Sequence, residues 1–125
     1  MSWVGAAAVL GTLSVVAGAF GAHGLRDSVT PERLSAWQTA AHYGLVHSVA
    51  ILALGLFAQA TGRPVTLPAA LFAAGVVLFS GSIFGLVLWE LRALGPVTPL
   101  GGLCLIAGWA SVLWLAWAGP ATPPN

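Results

Sequence analysis

Charged residues are scarce in this chain of 125 residues: Asp, Glu, Lys and Arg make up 6% of positions, and lysine is absent. Soluble domains carry about 25% charged residues, so the composition excludes a water-soluble globular protein. The net charge of +1 leaves no clustered basic surface, which excludes nucleic acid as a partner. The single cysteine, Cys104, excludes a disulfide framework or a thiolate zinc site within one chain.

Sequence motifs of common catalytic sites are also missing. The chain has no GxSxG elbow, no P-loop, no GxGxxG motif and no HExxH motif. We therefore expect no enzymatic activity, no resident cofactor and no metal site.

Apolar residues fill most of the chain, with 58% of positions hydrophobic and a mean hydropathy of +0.94. The charges leave four uncharged windows, residues 3–22, 34–62, 64–89 and 93–125. An α-helix needs about 20 apolar residues to cross about 30 Å of hydrocarbon, and a bilayer offers no water to unpaired backbone groups. The sequence therefore predicts an all-α membrane protein with four transmembrane helices.

The helices are predicted over residues 3–22, 31–60, 67–90 and 99–119. Their connections are short, which favours antiparallel neighbours in an up-and-down bundle. Residues 1–119 then form a single four-helix transmembrane domain, and residues 120–125 form a short proline-rich tail.

Capping residues mark the expected helix ends. Thr30-Pro31 and Thr98-Pro99 each place a hydroxyl before a proline, which is typical of a helix start. Three glycines are candidate stops in the left-handed conformation: Gly24, Gly62 and Gly95.

Small residues recur at helical spacing and predict how the helices associate. Lipid is as apolar as leucine, so close approach through small side chains must supply much of the packing. Residues 81–85 read GSIFG, a GxxxG motif. We expect contacts within one four-helix unit in preference to a dimer interface, and self-association stays open. The expected packing positions are Gly18, Gly21, Gly81, Gly85, Gly101 and Gly102.

The second helix carries most of the polar residues expected at depth. If Trp37 marks the interface, His47 lies about 15 Å deeper, near the midplane, where ionisable groups are functional candidates. Thr39, Tyr43 and His47 line one stripe, whereas His42 lies about 140° around the helix from His47. The two histidines therefore cannot chelate one metal from the same face. Two interpretations of His47 stay open: a neutral imidazole hydrogen-bonded to Ser, Thr or a carbonyl on a neighbouring helix, or a contact to a cofactor, proton or substrate.

The few charged residues predict a possible contact between loops and the orientation of the chain in the membrane. Glu90 is expected on the same membrane face as Arg33, and either an ion pair between them or separate contacts with lipid headgroups would suit it. The loops after the first and third helices carry three arginines against one in the middle loop. This difference favours both termini outside the cytoplasm.

Several stretches go beyond composition and resemble the YgdD/YwdK family, small bacterial membrane proteins with a domain of unknown function. The resemblance implies a multi-pass inner-membrane protein without an established activity. The stretches are residues 13–25, 37–40, 79–82, 95–102 and 107–109 with Tyr43 and His47.

Some of the positions shared with that family are polar. The resemblance implies that they converge near one end of the bundle, and we predict a ligand-binding site there. The predicted site residues are His23, Gln38, Thr39, Tyr43 and His47.

Three functions are compatible with these features, all of them in the lipid bilayer. The first is a structural or accessory component of a larger membrane complex. The second is a binding site between helices for a lipid-soluble molecule or cofactor, such as a quinone or haem. The third is a transporter or channel formed by an oligomer.

Overall fold

The computed structural model describes residues 2–119, and within that range four helices are long and apolar enough to cross a membrane. The predicted all-α fold with four candidate membrane spans is confirmed. The predicted tail, residues 120–125, lies outside the described residues. The helices are α1 (Trp3–Phe20), α2 (Pro31–Thr61), α3 (Thr66–Trp89) and α4 (Val97–Trp117).

The start of α2 follows its sequence signature. Thr30 Oγ1 accepts a hydrogen bond from the backbone N–H of Arg33 at 3.3 Å, and Pro31 occupies the first turn. The proline has no N–H that would need a partner there.

The predicted start at Thr98-Pro99 is wrong, because α4 begins at Val97 and has no side-chain cap. The Thr98 hydroxyl instead shares a 2.5 Å hydrogen bond with the hydroxyl of Ser82 on α3. A hydroxyl in an apolar span gains more from a partner on a neighbouring helix than from remaining unpaired. The hydrogen bond therefore ties α3 to α4.

Among the predicted helix stops, Gly62 is confirmed with φ 71°. Gly24 and Gly95 are not left-handed: Gly24 lies in a π-helical turn, Gly21–Leu25, and Gly95 has φ −52°. Glu90 ends α3 instead, with φ 53°.

The π-helical turn after α1 lies beside Trp37. The indole Nε1–H of Trp37 donates to the carbonyl oxygen of Ala17 at 2.7 Å, and the same oxygen also accepts from the backbone N–H of Gly21. Gly21 leaves room for the indole, since a Cβ there would lie 2.8 Å from Trp37 Nε1.

Consecutive helices are antiparallel. On the interface of α1 with α2, a Cβ on Gly11 would meet Ser48 Cβ at 3.6 Å, whereas one on Gly55 would meet Val4 at 3.1 Å. Residue numbers thus rise along α1 where they fall along α2. The hydrogen-bonded and packed pairs between α2 and α3, and between α3 and α4, show the same antiparallel relation.

The helices are packed in chain order, α1 on α2, α2 on α3 and α3 on α4. Within residues 2–119, neither α1 and α4 nor α2 and α4 bring Cα atoms within 8 Å of each other. This open arrangement leaves one groove between α1 and α3 and another between α2 and α4.

The main apolar core draws on all four helices, with Ala7 from α1 and Leu105 from α4, and Phe72 and Ile51 are fully buried in it. A second cluster surrounds Trp37 at the other end of α2 and includes Leu25 and Val87. The apolar side chains that remain exposed on the outer helix faces suit contact with lipid.

Arg33, in the first turn of α2, pairs with Glu90, which ends α3. Arg33 Nη2 lies 2.6 Å from Glu90 Oε1, so the ion pair forms. Both side chains are exposed, and such pairs contribute about 0–1 kcal/mol. The contact places the loops that follow α1 and α3 at the same end of the molecule.

Candidate functional site

His47 is the most deeply placed titratable residue of the predicted site, with 4% of its surface exposed. Its Nδ1 lies 2.7 Å from the backbone carbonyl oxygen of Tyr43, one turn earlier on α2. Its Nε2 lies 3.0 Å from the indole Nε1 of Trp109 on α4.

These two partners determine the tautomer of His47. A carbonyl oxygen only accepts, so Nδ1 must carry the proton, and an indole N–H only donates, so Nε2 must be unprotonated. The ring is therefore a neutral imidazole with both nitrogens occupied. The hydrogen-bonded interpretation named other partners: the carbonyl belongs to α2 itself, and the partner on a neighbouring helix is the Trp109 indole rather than Ser, Thr or a carbonyl.

Aromatic side chains surround the His47 ring. The ring centroids of Phe72 and Trp109 lie 5.3 and 5.9 Å away, and Tyr43 stacks at 5.9 Å with an interplanar angle of 19°. Phe72 and Trp109 also make an edge contact at 4.9 Å. Gly108 permits this approach, because a Cβ there would lie 2.6 Å from the Phe72 ring.

The groove between α2 and α4 begins beside this cluster. It has a volume of about 450 Å³, and Phe72 of α3 contributes to its wall. Trp109 therefore has two roles: its N–H donates to His47, and its side chain forms part of the groove wall. The residues that line the groove are Ala50, Ala53, Leu54, Phe57, Arg63, Phe72, Trp109, Val112, Leu115 and Ala116.

Arg63, from the loop between α2 and α3, is the charged residue of this groove. Its Nη2 donates to the backbone carbonyl oxygen of Leu115 at 2.9 Å, near the C-terminus of α4. Its guanidinium carbon lies 5.6 Å from the centroid of the Phe57 ring. The last carbonyls of a helix lack partners within the helix, so Arg63 satisfies one of them.

The structure brings only part of the predicted ligand site together. Tyr43 and His47 are stacked, with Tyr43 41% exposed. Gln38 and Thr39 lie exposed on α2, and His23 is exposed in the π-helical turn that extends α1. The His47 ring contacts aromatic residues of α3 and α4, so His23 is not among its neighbours.

The predicted packing glycines occupy different environments. A Cβ on Gly101 would overlap the backbone of Phe79, and one on Gly85 would overlap the Leu94 side chain. Gly18 and Gly102 have ordinary contacts at 3.9 Å. Gly81 has no atom within 4 Å of an added Cβ and faces open space. The contact of Gly21 is the Trp37 ring described above.

Sequence reasoning missed Trp109, Phe72 and Arg63 as members of this region. A signal existed for Trp109, because an indole far from the membrane interface needs a partner for its N–H. In the sequence, Arg63 stands out only as the single arginine of the loop between the second and third helices. Within residues 2–119, no group of three or more His, Cys, Asp and Glu side chains is placed to hold a metal.

Comparison with known proteins shows the family. The model of the family described as "Protein of unknown function (DUF423)" matches residues 17–102. A UPF0382 membrane protein of Staphylococcus aureus (strain bovine RF122 / ET3-1) is 39% identical over 81% of this chain and 83% of its own length. One from Staphylococcus haemolyticus (strain JCSC1435) is 40% identical over the same shares.

A relative also occurs in a eukaryote. A UPF0382 membrane protein of Schizosaccharomyces pombe (strain 972 / ATCC 24843) is 43% identical over 86% of this chain and 94% of its own length. No solved structure matches. With four candidate membrane spans and these relatives, the chain belongs to the DUF423/UPF0382 family of membrane proteins.

Proposed function

We propose that this membrane protein is a structural or accessory component of a larger membrane assembly and catalyses no reaction of its own. Its buried polar groups support this role, because they hold the helices in shape. Ser80 Oγ donates to the carbonyl oxygen of Ala40 on α2 at 2.7 Å, and His47 connects α2 to α4. Within the described residues, every buried side-chain nitrogen or oxygen has a partner.

The groove between α1 and α3 carries the proposal. It has a volume of about 400 Å³, is almost entirely apolar, and includes Gly81 in its wall. Helices associate in lipid through small residues that let backbones approach closely. Gly81 has nothing opposite it within this chain, so a transmembrane helix of another protein has room to pack against it.

Replacement of Gly81 tests this proposal. We expect Gly81→Leu to fold, since the position is open, and to reduce the partner protein co-purified from native membranes in mild detergent by about tenfold, equivalent to about 1.4 kcal/mol. Ala74→Leu is the matched control, because Ala74 is exposed on the same helix outside the groove.

Three results would contradict the accessory role. One is recovery of the unmodified chain without partners in several mild detergents. Another is equal loss of the partner with both variants. The third is a complex that contains only copies of this chain, which would assign the groove to self-association.

A second candidate function, binding of a lipid-soluble molecule, is favoured by the groove between α2 and α4. His47 is not its ligand in this arrangement. An iron or a quinone oxygen that bound to His47 would displace Trp109 or Tyr43, since both ring nitrogens are engaged. The apolar groove beside the ring is the better location.

We also propose a narrower family label for the chain and a specific membrane in which it lies. The stretches around His23, His47 and Thr98 that resemble the YgdD/YwdK proteins support that label. The same resemblance supports placement in the inner membrane of a bacterium. Separation of the inner and outer membranes of a bacterium, followed by detection of a tagged chain in each fraction, would test the location.

A further inference from the structure

Arg63 lies apart from the carboxylates of the chain. Asp27 and Glu32 lie in or beside the connection from α1 to α2, and Glu90 follows α3. Because consecutive helices are antiparallel, these three side chains lie at one end of the molecule and Arg63 at the other. Within residues 2–119, no carboxylate shares the end that holds Arg63.

The Arg63 guanidinium also has unused hydrogen-bonding capacity. Arginine carries five N–H donors in a planar fork. Within the described residues, one of its terminal nitrogens donates to Leu115, and its carbon lies beside the Phe57 ring. The side chain is half-buried at the end of the groove. Its remaining donors suit a planar or tetrahedral anion.

The groove extends from Arg63 toward the middle of the membrane. Along α2 its wall runs from Ala50 to Phe57, and along α4 from Trp109 to Ala116, which is about 10 Å at 1.5 Å per residue. Its lining is apolar apart from the arginine. The groove therefore follows the direction of a lipid acyl chain, with the cation at the level of the headgroups.

We propose that this groove binds an anionic phospholipid, with one acyl chain between α2 and α4 and the phosphate of the headgroup on Arg63. Within residues 2–119 no carboxylate lies beside Arg63, and this positive charge selects a headgroup with net negative charge over a zwitterionic one. Within residues 2–119 the Cα atoms of α2 and α4 stay more than 8 Å apart, which leaves the groove open between the two backbones beyond the His47–Trp109 hydrogen bond. The site is separate from the α1–α3 groove and does not depend on the accessory role.

Native mass spectrometry of the detergent-purified full chain tests the proposal. The probes are phosphatidylglycerol and phosphatidylcholine with identical acyl chains. We expect phosphatidylglycerol to bind about tenfold more tightly, because both lipids present a phosphate to Arg63 but the choline of phosphatidylcholine brings a second positive charge close to the guanidinium. Arg63→Gln should abolish this preference, whereas Arg63→Lys should retain most of it.

Two further variants separate the site from general attraction. Arg92→Gln removes an exposed charge at the opposite end and should leave the preference unchanged. Ala53→Trp fills the groove and should weaken the binding of both lipids. Helix content measured by circular dichroism establishes that each variant is folded.

Specific outcomes would overturn the proposal. They are equal binding of the two lipids to the unmodified chain, an equal effect of Arg92→Gln and Arg63→Gln, or no effect of Ala53→Trp. Displacement of phosphatidylglycerol by a lower concentration of oleate would also overturn it, because the ligand would then be a free fatty acid.

Discussion

His47 illustrates how a single polar residue is accommodated at membrane depth. An unpaired polar group in an apolar medium costs several kcal/mol, about 2–7 depending on the reference state. The Tyr43 carbonyl and the Trp109 indole remove that cost by satisfying both ring nitrogens. Within residues 2–119 the Cα atoms of α2 and α4 stay more than 8 Å apart, so the bond to Trp109 is a side-chain link across that gap.

A double-mutant cycle measures this bond. His47→Phe and Trp109→Phe each leave one partner unsatisfied, and each should lower the free energy of unfolding by about 1–3 kcal/mol. The double variant should lose about 1 kcal/mol less than the sum, since the bond is lost only once. Circular dichroism during unfolding in increasing dodecyl sulfate provides the measurement.

Trp114→Phe is the control for this cycle, because Trp114 is 67% exposed on α4. It should change stability by less than about 0.5 kcal/mol. Additive effects of His47→Phe and Trp109→Phe, within about 0.3 kcal/mol, would show that the bond contributes nothing.

At the scale of helices, close contact between α3 and α4 depends on several glycines, and Gly101 is the one that faces backbone atoms most closely. A Cβ on Gly101 would lie 2.7 Å from Phe79 Cα and 2.8 Å from the carbonyl carbon of Leu78, which are backbone atoms that cannot move independently. At the next residue, Gly102, the nearest atom is Phe79 Cδ2 at 3.9 Å. The two adjacent glycines therefore differ in whether the structure has room for an added Cβ.

Alanine substitutions at these two positions should have opposite effects. Gly101→Ala should lower the free energy of unfolding by about 1–3 kcal/mol, because α4 must move away from α3. Gly102→Ala should be neutral or stabilising by up to about 1 kcal/mol, since alanine favours the helix. Thermal unfolding of the two variants in one detergent compares them, and a greater loss for Gly102→Ala would contradict the described packing.

At the scale of the whole molecule, the open row of helices determines which surfaces remain for ligands and partners. A closed bundle would bring α1 against α4, but here the two end helices stay apart. The two resulting grooves differ in chemistry. The α1–α3 groove has no charged lining residue, whereas Arg63 marks the α2–α4 groove.

The distribution of arginines predicts the orientation of the whole chain. The ion pair of Arg33 with Glu90 agrees with three arginines at one end, and the excess of positive charge favours that end in the cytoplasm. In a Cys104→Ala background, an impermeant maleimide added to intact spheroplasts should label Thr61→Cys. It should label Ser28→Cys only after the membrane is opened.

The background variant without cysteine should remain unlabelled in this experiment. Labelling of Ser28→Cys but not Thr61→Cys in intact spheroplasts would place both termini in the cytoplasm instead.

The candidate site could be predicted only in part. The burial of His47 was predictable, because ionisable side chains within membrane-spanning helices usually turn toward other helices and away from lipid. Its partner was not, because Trp109 lies 62 residues away and periodicity within one helix gives no rotation relative to another. Gly81 and Gly85 show the same limit, since one motif contains an open position and a packed one.

The sequence by itself determined the membrane environment, the number of helices and the start of α2. These properties depend on composition, on the length of uncharged windows and on local capping, all of which act between neighbouring residues. The tertiary structure alone decided that Thr98 bonds to Ser82, that Trp109 meets His47 and that Arg63 lies at the end of a groove. Each of these contacts depends on how helices rotate and approach in lipid, where small side chains and single hydrogen bonds, rather than hydrophobicity, select the arrangement.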